Sequence, residues 1–248
     1  MQLTQKISPS LINYIDQCPQ RWKYDQLRHP QIPVYIKKAE LGYEFHSIIK
    51  HYFTIISEKP SKKEIWQTAK KSFENLFTLT TMKKQGEKLL KNFCEFEVNR
   101  LKTWHTYKPE LVEHRIEISL EDILKVFNLE VTQPFVTIID FYGSKTLIDW
   151  KTGVVPYISK HLQFQYIFEK TMLELTNHKV EKTYFVVLSS DTCIEPPNTT
   201  KCWMINEIKR ILNIIKTDRF IPNRTGLCRY CPYELRCNSE KQCLWMVT

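Results

Sequence analysis

Apolar residues recur at helical spacing through the N-terminal part of the chain. The first stripe consists of residues that follow one another at intervals of four, three and four: Leu11, Ile15, Cys18 and Trp22. Ser8 followed by Pro9 is typical of a helix N-cap and first helical position. Similar stripes predict further helices at about residues 38–57, 61–79 and 86–104. The part of the chain formed by residues 1–108 is therefore expected to be mainly helical.

The period changes near Pro109, where alternation and β-branched residues replace the helical spacing. Strands are expected at about residues 111–120, 135–142, 145–151 and 182–189. Helices are expected at about residues 159–177 and along the stripe that runs from Ile205 to Ile215. We therefore expect an α/β fold and a single domain over residues 1–248, with a core at 109–220 and a cysteine-rich tail at 221–248.

One predicted hairpin concentrates the side chains that carry chemistry. We expect Gly143 and Ser144 to form the two-residue loop of a type II′ hairpin. Asp140 and Asp149 then become diagonal neighbours on one face of the sheet, and Lys151 points the same way. A divalent cation shared by two buried carboxylates offsets their repulsion and binds a phosphoryl oxygen. A simple ion pair of lysine and aspartate beside a turn, with Asp140 solvated, is the alternative that this geometry leaves open.

Composition narrows the classes of function. The 36 Lys and Arg residues exceed the 27 Asp and Glu residues, and the resulting charge of +9 favours a polyanionic partner. Only 5 glycines are present, and no GxxxxGK[ST] or GxGxxG motif predicts a phosphate-binding loop. The longest strictly apolar run, Tyr184–Leu188, is too short to cross a membrane, and the N-terminus lacks an apolar signal. We expect a cytoplasmic protein, or one inside a host cell, with no membrane partner.

The cysteines predict a metal centre rather than disulfides, because no export signal is present. Cys228, Cys231 and Cys237 form a C-x2-C-x5-C pattern, which implies a metal ligand set that is one thiolate short. The fourth ligand is either Cys18 or Cys243, and thiolates alone do not distinguish zinc from an iron–sulfur centre. Three further cysteines stand isolated in the sequence and are interpreted as structural: Cys94, Cys193 and Cys202.

The motifs around the hairpin resemble those of the PD-(D/E)XK nuclease superfamily, in particular its RecB-like and Cas4-like iron–sulfur branch. An Asp in Ile139-Asp140-Phe141, followed by a short turn and Asp149-Trp150-Lys151-Thr152-Gly153, resembles the two metal-binding motifs of that family. The segment Gly42-Tyr43-Glu44-Phe45-His46 resembles its upstream G-x-x-x-H helix. The resemblance implies a restriction-endonuclease-like mixed β-sheet flanked by helices, with a helical N-terminal part and a C-terminal cysteine clasp.

The resemblance also implies roles for individual residues. Mg²⁺ or Mn²⁺ would be held by three side chains and one backbone carbonyl, those of His46, Asp140, Asp149 and Trp150. Lys151 would position the attacking water and stabilise the transition state. A [4Fe–4S] cluster would join the two ends of the chain through four thiolates, those of Cys18, Cys228, Cys231 and Cys237. Without the resemblance, His46 is better interpreted as an ordinary packed helix residue.

Other residues are weaker candidates for contacts with the substrate. The family has a Q-x-x-x-Y motif on the helix after the lysine, and Gln163 fits its first position. Tyr166 comes one residue early, and its alternative role is that of a core aromatic. Arg21 and Tyr230 are expected near the cluster, where they would either contact single-stranded DNA or shield the metal. Glu113 is interpreted as a solvated strand residue, with an outer-shell role in the metal site as the alternative.

The expected function is that of a metal-dependent deoxyribonuclease, an exonuclease that prefers single-stranded DNA or frayed ends. Repair and recombination, CRISPR adaptation and viral DNA processing all use such enzymes, so recombination or CRISPR adaptation proteins are the expected partners. The alternative is an iron–sulfur or zinc module that binds DNA ends and has a weak or inactive nuclease site.

Overall fold

In a computed structural model, which describes residues 3–29, 31, 37–103, 107–225 and 228–238, the chain forms two compact units. The first, here called the terminal unit, comprises Met1–Tyr35, Ser119–Phe135 and Lys201–Thr248. The second, here called the sheet unit, comprises Ile36–Ile118 and Val136–Thr200. The single-domain assignment stays a prediction. Within the described ranges, no helix combines the length and the apolar character that crossing a membrane requires.

Most helices lie close to the predicted ranges, whereas the helix at Leu120–Phe127 was not predicted. In chain order they are α1 (Pro9–Gln17), α2 (Pro19–Gln26), α3 (Lys37–Ile55), α4 (Lys62–Leu76), α5 (Lys83–Thr103), α6 (Leu120–Phe127), α7 (Lys160–Leu175) and α8 (Lys201–Lys216). Short 3₁₀ turns occupy Thr80–Met82 and Cys228–Tyr230. The predicted N-cap is confirmed, because the Ser8 hydroxyl accepts a hydrogen bond from the N–H of Leu11 at 3.1 Å.

Five strands form one mixed sheet in the order in which they occur along the chain. They are β1 (Leu111–Ile118), β2 (Phe135–Gly143), β3 (Thr146–Lys151), β4 (Lys182–Val187) and β5 (Thr192–Ile194). Strand β3 pairs antiparallel with β2 and parallel with β4, and β4 pairs antiparallel with β5. Helix α7 connects the two parallel strands, as a parallel pair requires. This mixed sheet flanked by helices confirms the predicted fold class.

The core of the sheet unit lies between the sheet and helices α3, α4 and α5. Phe141, Ile148 and Trp150 point from the sheet into this core. The ring of Phe93 on α5 meets the Trp150 indole edge-on at 5.5 Å between centroids, a favourable arrangement for aromatic pairs. Because side chains alternate along a strand, Asp149 lies on the opposite face from its two neighbours Ile148 and Trp150.

The hairpin loop lies one residue later than the sequence predicted. Gly143 pairs with Thr146 inside the ladder, so Ser144 and Lys145 form the two-residue loop. Both loop residues have positive φ, 49° and 59°, which is the requirement of a type I′ turn rather than of type II′. Gly143 instead lies where the chain packs closely, since a Cβ at this position would make a tight contact of 3.1 Å with the backbone of Pro109.

In the terminal unit, the predicted first helix is broken at Cys18. Helix α1 ends at Gln17 and α2 begins at Pro19, while Cys18 is extended with φ −161° and ψ 98°. The residue before a proline is sterically disfavoured in the helical region, which explains the break. Cys18 therefore lies at a junction between two helices and not on a helix face.

Candidate active site

The corrected hairpin register changes the relation between the two aspartates. Phe141 pairs with Ile148, so one further step of the same register places Asp140 directly opposite Asp149 rather than diagonal to it. Residues directly opposite each other are closer than diagonal ones. Asp140 Oδ2 accepts a hydrogen bond from the backbone N–H of Trp150 at 2.9 Å, which fixes its carboxylate against the neighbouring strand.

Three side chains from three different elements converge beside this hairpin. His46 on α3, Glu113 on β1 and Asp140 on β2 each place one ligand atom so that all three lie within 4.8 Å of one another. His46 Nδ1 lies 2.7 Å from Glu113 Oε1 and 3.6 Å from Asp140 Oδ1. Two carboxylate oxygens and one imidazole nitrogen are a donor set that fits a divalent cation such as Mn²⁺.

Glu113 is the member of this group that the sequence did not predict as a ligand. Its side chain is 15% exposed, so the interpretation as a solvated strand residue is wrong. Its φ is 44°, although it lies inside a strand, and a non-glycine residue in this region costs roughly 1–3 kcal/mol. Strained backbone of this kind clusters at functional sites, and here it occurs at the residue that contacts His46.

The electrostatics show an excess of negative charge at this group. Burial opposes the charged form of His46, but the carboxylates of Asp140, Glu113 and Asp149 outweigh it and raise the pKa of His46 to about 9. Burial also raises the pKa of Asp140 well above its usual range, although the neighbouring His46 charge opposes this rise. A bound cation would replace the proton in both cases, because metal ligands bind in their deprotonated form.

A second group adjoins the first and contains the predicted lysine. Lys151 Nζ lies 2.7 Å from Asp149 Oδ2 and donates a hydrogen bond to Gln165 Oε1 at 3.1 Å. Burial opposes the charge on Lys151, but the carboxylates of Asp149 and Asp140 outweigh it and raise its pKa, so Lys151 remains protonated. Gln165 Nε2 in turn donates to Asp149 Oδ1 at 3.1 Å and to Glu169 Oε1 at 2.9 Å.

The residues predicted on the hairpin therefore come together, but in two subgroups. Asp140 joins His46, while Asp149 joins Lys151 and lies outside the three-residue group. The role of the Trp150 carbonyl stays a prediction. The indole of the same residue packs in the core at 1% exposure.

On helix α7, Gln165 contacts Lys151 and Asp149, whereas the family motif predicts Gln163 as the glutamine of the site. Gln163 donates to the carbonyl of Ile158 at 3.3 Å, away from the acidic groups. Tyr166 is 5% exposed, and its hydroxyl donates to the Pro197 carbonyl at 2.5 Å, which fits the core role. A polar pair four residues apart on a largely apolar helix was the signal that could have identified Gln165 and its partner Glu169.

In the terminal unit, the four predicted thiol ligands line one cavity of about 210 Å³: Cys18, Cys228, Cys231 and Cys237. Burial raises the pKa of the Cys231 and Cys237 thiols, with smaller contributions from the neighbouring cysteines. The backbone N–H of Thr225 donates to Cys228 Sγ at 3.4 Å. Cys243 lies outside the described residues.

Arg21 and Tyr230 are the residues of this unit that were predicted to contact the substrate. Both are close in sequence to cysteines that line the cavity. Arg21 stacks on the Tyr14 ring, 4.7 Å from its centroid. Tyr230 is 51% exposed, and the Arg229 guanidinium lies 4.8 Å from its centroid. An exposed aromatic ring such as that of Tyr230, stacked with an arginine, can stack on a nucleobase. Arg21 is more buried than Tyr230 and is better placed to shield the thiols.

Comparison with known proteins assigns the class. Residues 6–238 match the family model of the PD-(D/E)XK nuclease superfamily, which is nearly the whole chain. The chain belongs to this superfamily, whose members are metal-dependent nucleases that act on DNA. A search of curated protein sequences finds no match. The family assignment agrees with the acidic groups at the hairpin, whose donor set suits a divalent metal.

Proposed function

We propose that this protein is a metal-dependent deoxyribonuclease that prefers single-stranded DNA and removes nucleotides from DNA ends. The observation that carries the nuclease proposal is the convergence of His46, Glu113 and Asp140 beside the ion pair of Asp149 and Lys151. Metal ligands and a protonated amine adjoin in one unit, which is the arrangement that phosphodiester hydrolysis requires.

The proposed division of labour follows from the contacts. His46, Glu113 and Asp140 would hold Mn²⁺ or Mg²⁺, and Asp149 and the Trp150 carbonyl are the proposed further ligands from the neighbouring strand. The bound cation supplies Lewis acidity toward a phosphoryl oxygen and lowers the pKa of a water. Lys151 keeps its proton at Nζ, where it orients the attacking water and neutralises charge that develops on the phosphoryl oxygens.

The preference for single strands rests on the basic and aromatic residues of the chain. A net charge of +9 favours a nucleic acid, and the exposed Tyr230 with its stacked Arg229 offers a surface for an unpaired base. The action on DNA ends rests on the resemblance to the RecB-like branch.

We further propose that the four cysteines of the terminal unit hold a structural [4Fe–4S] cluster. The four cysteines line one cavity of about 210 Å³, and the choice of an iron–sulfur cluster over zinc rests on the resemblance to the Cas4-like branch. Such a clasp closes a very long loop, where the loss of unfolded-chain entropy is largest.

The test uses purified protein, Mn²⁺ and DNA strands labelled at either end, both single-stranded and duplex. Wild type should cleave single strands faster and release labelled mononucleotides from one end before the other. Lys151→Ala should lower the cleavage rate at least about 100-fold, whereas Glu87→Ala, a change at an exposed position of helix α5 in the sheet unit, should leave it intact. DNA binding without cleavage by wild type would contradict the nuclease proposal and favour a DNA-end-binding module.

A further inference from the structure

Gln165 connects one carboxylate on strand β3 and one on helix α7 with the lysine. Its Nε2 donates to Asp149 at 3.1 Å and to Glu169 at 2.9 Å, while its Oε1 accepts from Lys151 at 3.1 Å. The charges of these partners determine which way the amide faces. The reversed amide would place its oxygen against two carboxyl groups and its NH₂ group against an ammonium; with both carboxylates ionised, these contacts would be repulsive.

Glu169 is the partner in this network that has no role in the proposed metal site. It lies one helical turn after Gln165 and is 3% exposed, which is rare for a glutamate that only supports the fold. Burial, together with the carboxylates of Asp149 and Asp140, raises the pKa of Glu169 well above its usual range. This position disfavours the charged form of the carboxyl group. A contact that the active site requires explains why a glutamate occupies it.

The value of Glu169 becomes clear when the proposed metal is considered. If Asp149 turns its oxygens toward a cation, it becomes a weaker acceptor for the Gln165 amide. Glu169 is then the acceptor that continues to hold Nε2, and it keeps Oε1 directed at Lys151. Without it, the Gln165 amide could rotate and release the amine whose position the reaction depends on.

We propose that Glu169 is a positioning residue of the active site that acts through Gln165, by orienting its amide so that Oε1 holds Lys151 Nζ. This inference rests on the proposed nuclease function. It assigns Glu169 no direct contact with metal, water or DNA. It requires that the whole effect of Glu169 on the reaction passes through Gln165.

A double-mutant cycle with two nearly isosteric changes tests this requirement. Glu169→Met should lower the single-turnover cleavage rate at saturating Mn²⁺ by about 10–100-fold, the usual effect of losing a residue that supports a ligand. DNA affinity measured without metal should change by less than about twofold, because Glu169 does not contact DNA. Glu169→Gln should recover most of the rate, since its amide oxygen still accepts from Gln165. In a Gln165→Met background, Glu169→Met should have less than about a twofold further effect.

Two kinetic outcomes would overturn the inference. One is an effect of Glu169→Met that is undiminished in the Gln165→Met background, since Glu169 would then act by another route. The other is a wild-type rate for Glu169→Met. Glu174→Gln on the same helix serves as the control and should cleave like wild type, and thermal unfolding of all variants excludes a loss of fold.

A spectroscopic measurement keeps this inference separate from the nuclease proposal. The side-chain NH₂ signals of Gln165, identified by their loss in Gln165→Met, should exchange with solvent about tenfold faster in Glu169→Met than in wild type, because a buried hydrogen bond is lost. Unchanged exchange would overturn the inference even if the enzyme is active. If wild type does not cleave DNA but exchange is faster in Glu169→Met, the nuclease proposal is overturned. The role of Glu169 in orienting the amide is then retained.

Discussion

Replacement of Glu113 by glutamine tests the metal site at the residue that only the structure brought into it. The change keeps the size of the side chain and an oxygen that can accept a hydrogen bond from His46 Nδ1, which lies 2.7 Å from the native carboxylate. It removes one negative charge from a group whose ligand atoms lie within 4.8 Å of one another. The variant therefore separates the charge of Glu113 from its hydrogen bond.

The expected magnitude follows from the electrostatics of the site. Two unit charges about 4 Å apart attract by about 4 kcal/mol at an effective dielectric constant near 20, and a divalent cation attracts the lost charge about twice as strongly at that distance. The Glu113→Gln change also removes a carboxylate that raises the pKa of His46. The proton on His46 then competes less with the metal, which offsets part of the lost attraction. We expect Mn²⁺ to bind about 10–100-fold more weakly, which corresponds to roughly 1.4–2.8 kcal/mol.

Titration calorimetry with Mn²⁺ at neutral pH measures this change directly and needs no DNA. Glu117→Gln is the matched control, because Glu117 lies on the same strand, is 37% exposed and pairs with Arg115 at 3.1 Å. It should bind Mn²⁺ with wild-type affinity. Equal affinities of Glu113→Gln and Glu117→Gln would refute the assignment of Glu113 to the metal site.

Three further predictions concern the amine, the cysteines and the core. Lys151→Ala should lower the cleavage rate at least about 100-fold and leave Mn²⁺ affinity within about tenfold, as rates and calorimetry will show, because Lys151 is assigned to the transition state. Cys231→Ser should lose iron in elemental analysis and unfold at a lower temperature, whereas Cys193→Ser should match wild type; a fully iron-loaded Cys231→Ser would contradict the cluster. Arg100→Ala should cost about 3–5 kcal/mol in urea unfolding, because it leaves the fully buried Glu97 carboxylate without its ion-pair partner at 2.6 Å. Replacing both members by leucine should cost less, and a larger loss in the double variant would show that the pair itself stabilises the fold.

The sequence was sufficient for the elements whose signals are local. The positions of helices α3, α4, α5 and α7 follow from apolar spacing, which each segment carries independently of its neighbours. The hairpin with Asp140 and Asp149 could be recognised because its two strands are adjacent in the chain and share one turn. The pattern of Cys228, Cys231 and Cys237 is equally local, and the structure places all three beside one cavity.

Contacts between distant segments were decided only by the tertiary structure. Glu113 looks like any strand glutamate in the sequence, and its contact with His46 on a helix 67 residues away depends on how α3 packs beside β1. The sequence predicts Gly143 as a turn residue, but it lies in the ladder, where a Cβ would come within 3.1 Å of the Pro109 backbone, a contact that no turn rule describes. The one-residue shift that follows changes which side chains stand opposite each other across the strands.

The same reason explains the choice of Gln165 over Gln163. Both lie on α7, and the sequence gives each the same donors and acceptors. Only the rotation of the helix against the sheet brings Gln165 to Lys151 and turns Gln163 toward the carbonyl of Ile158. Local patterns thus determined the elements and the residue types available for catalysis, while packing between elements, which depends on many distant contacts at once, selected the side chains that form the site.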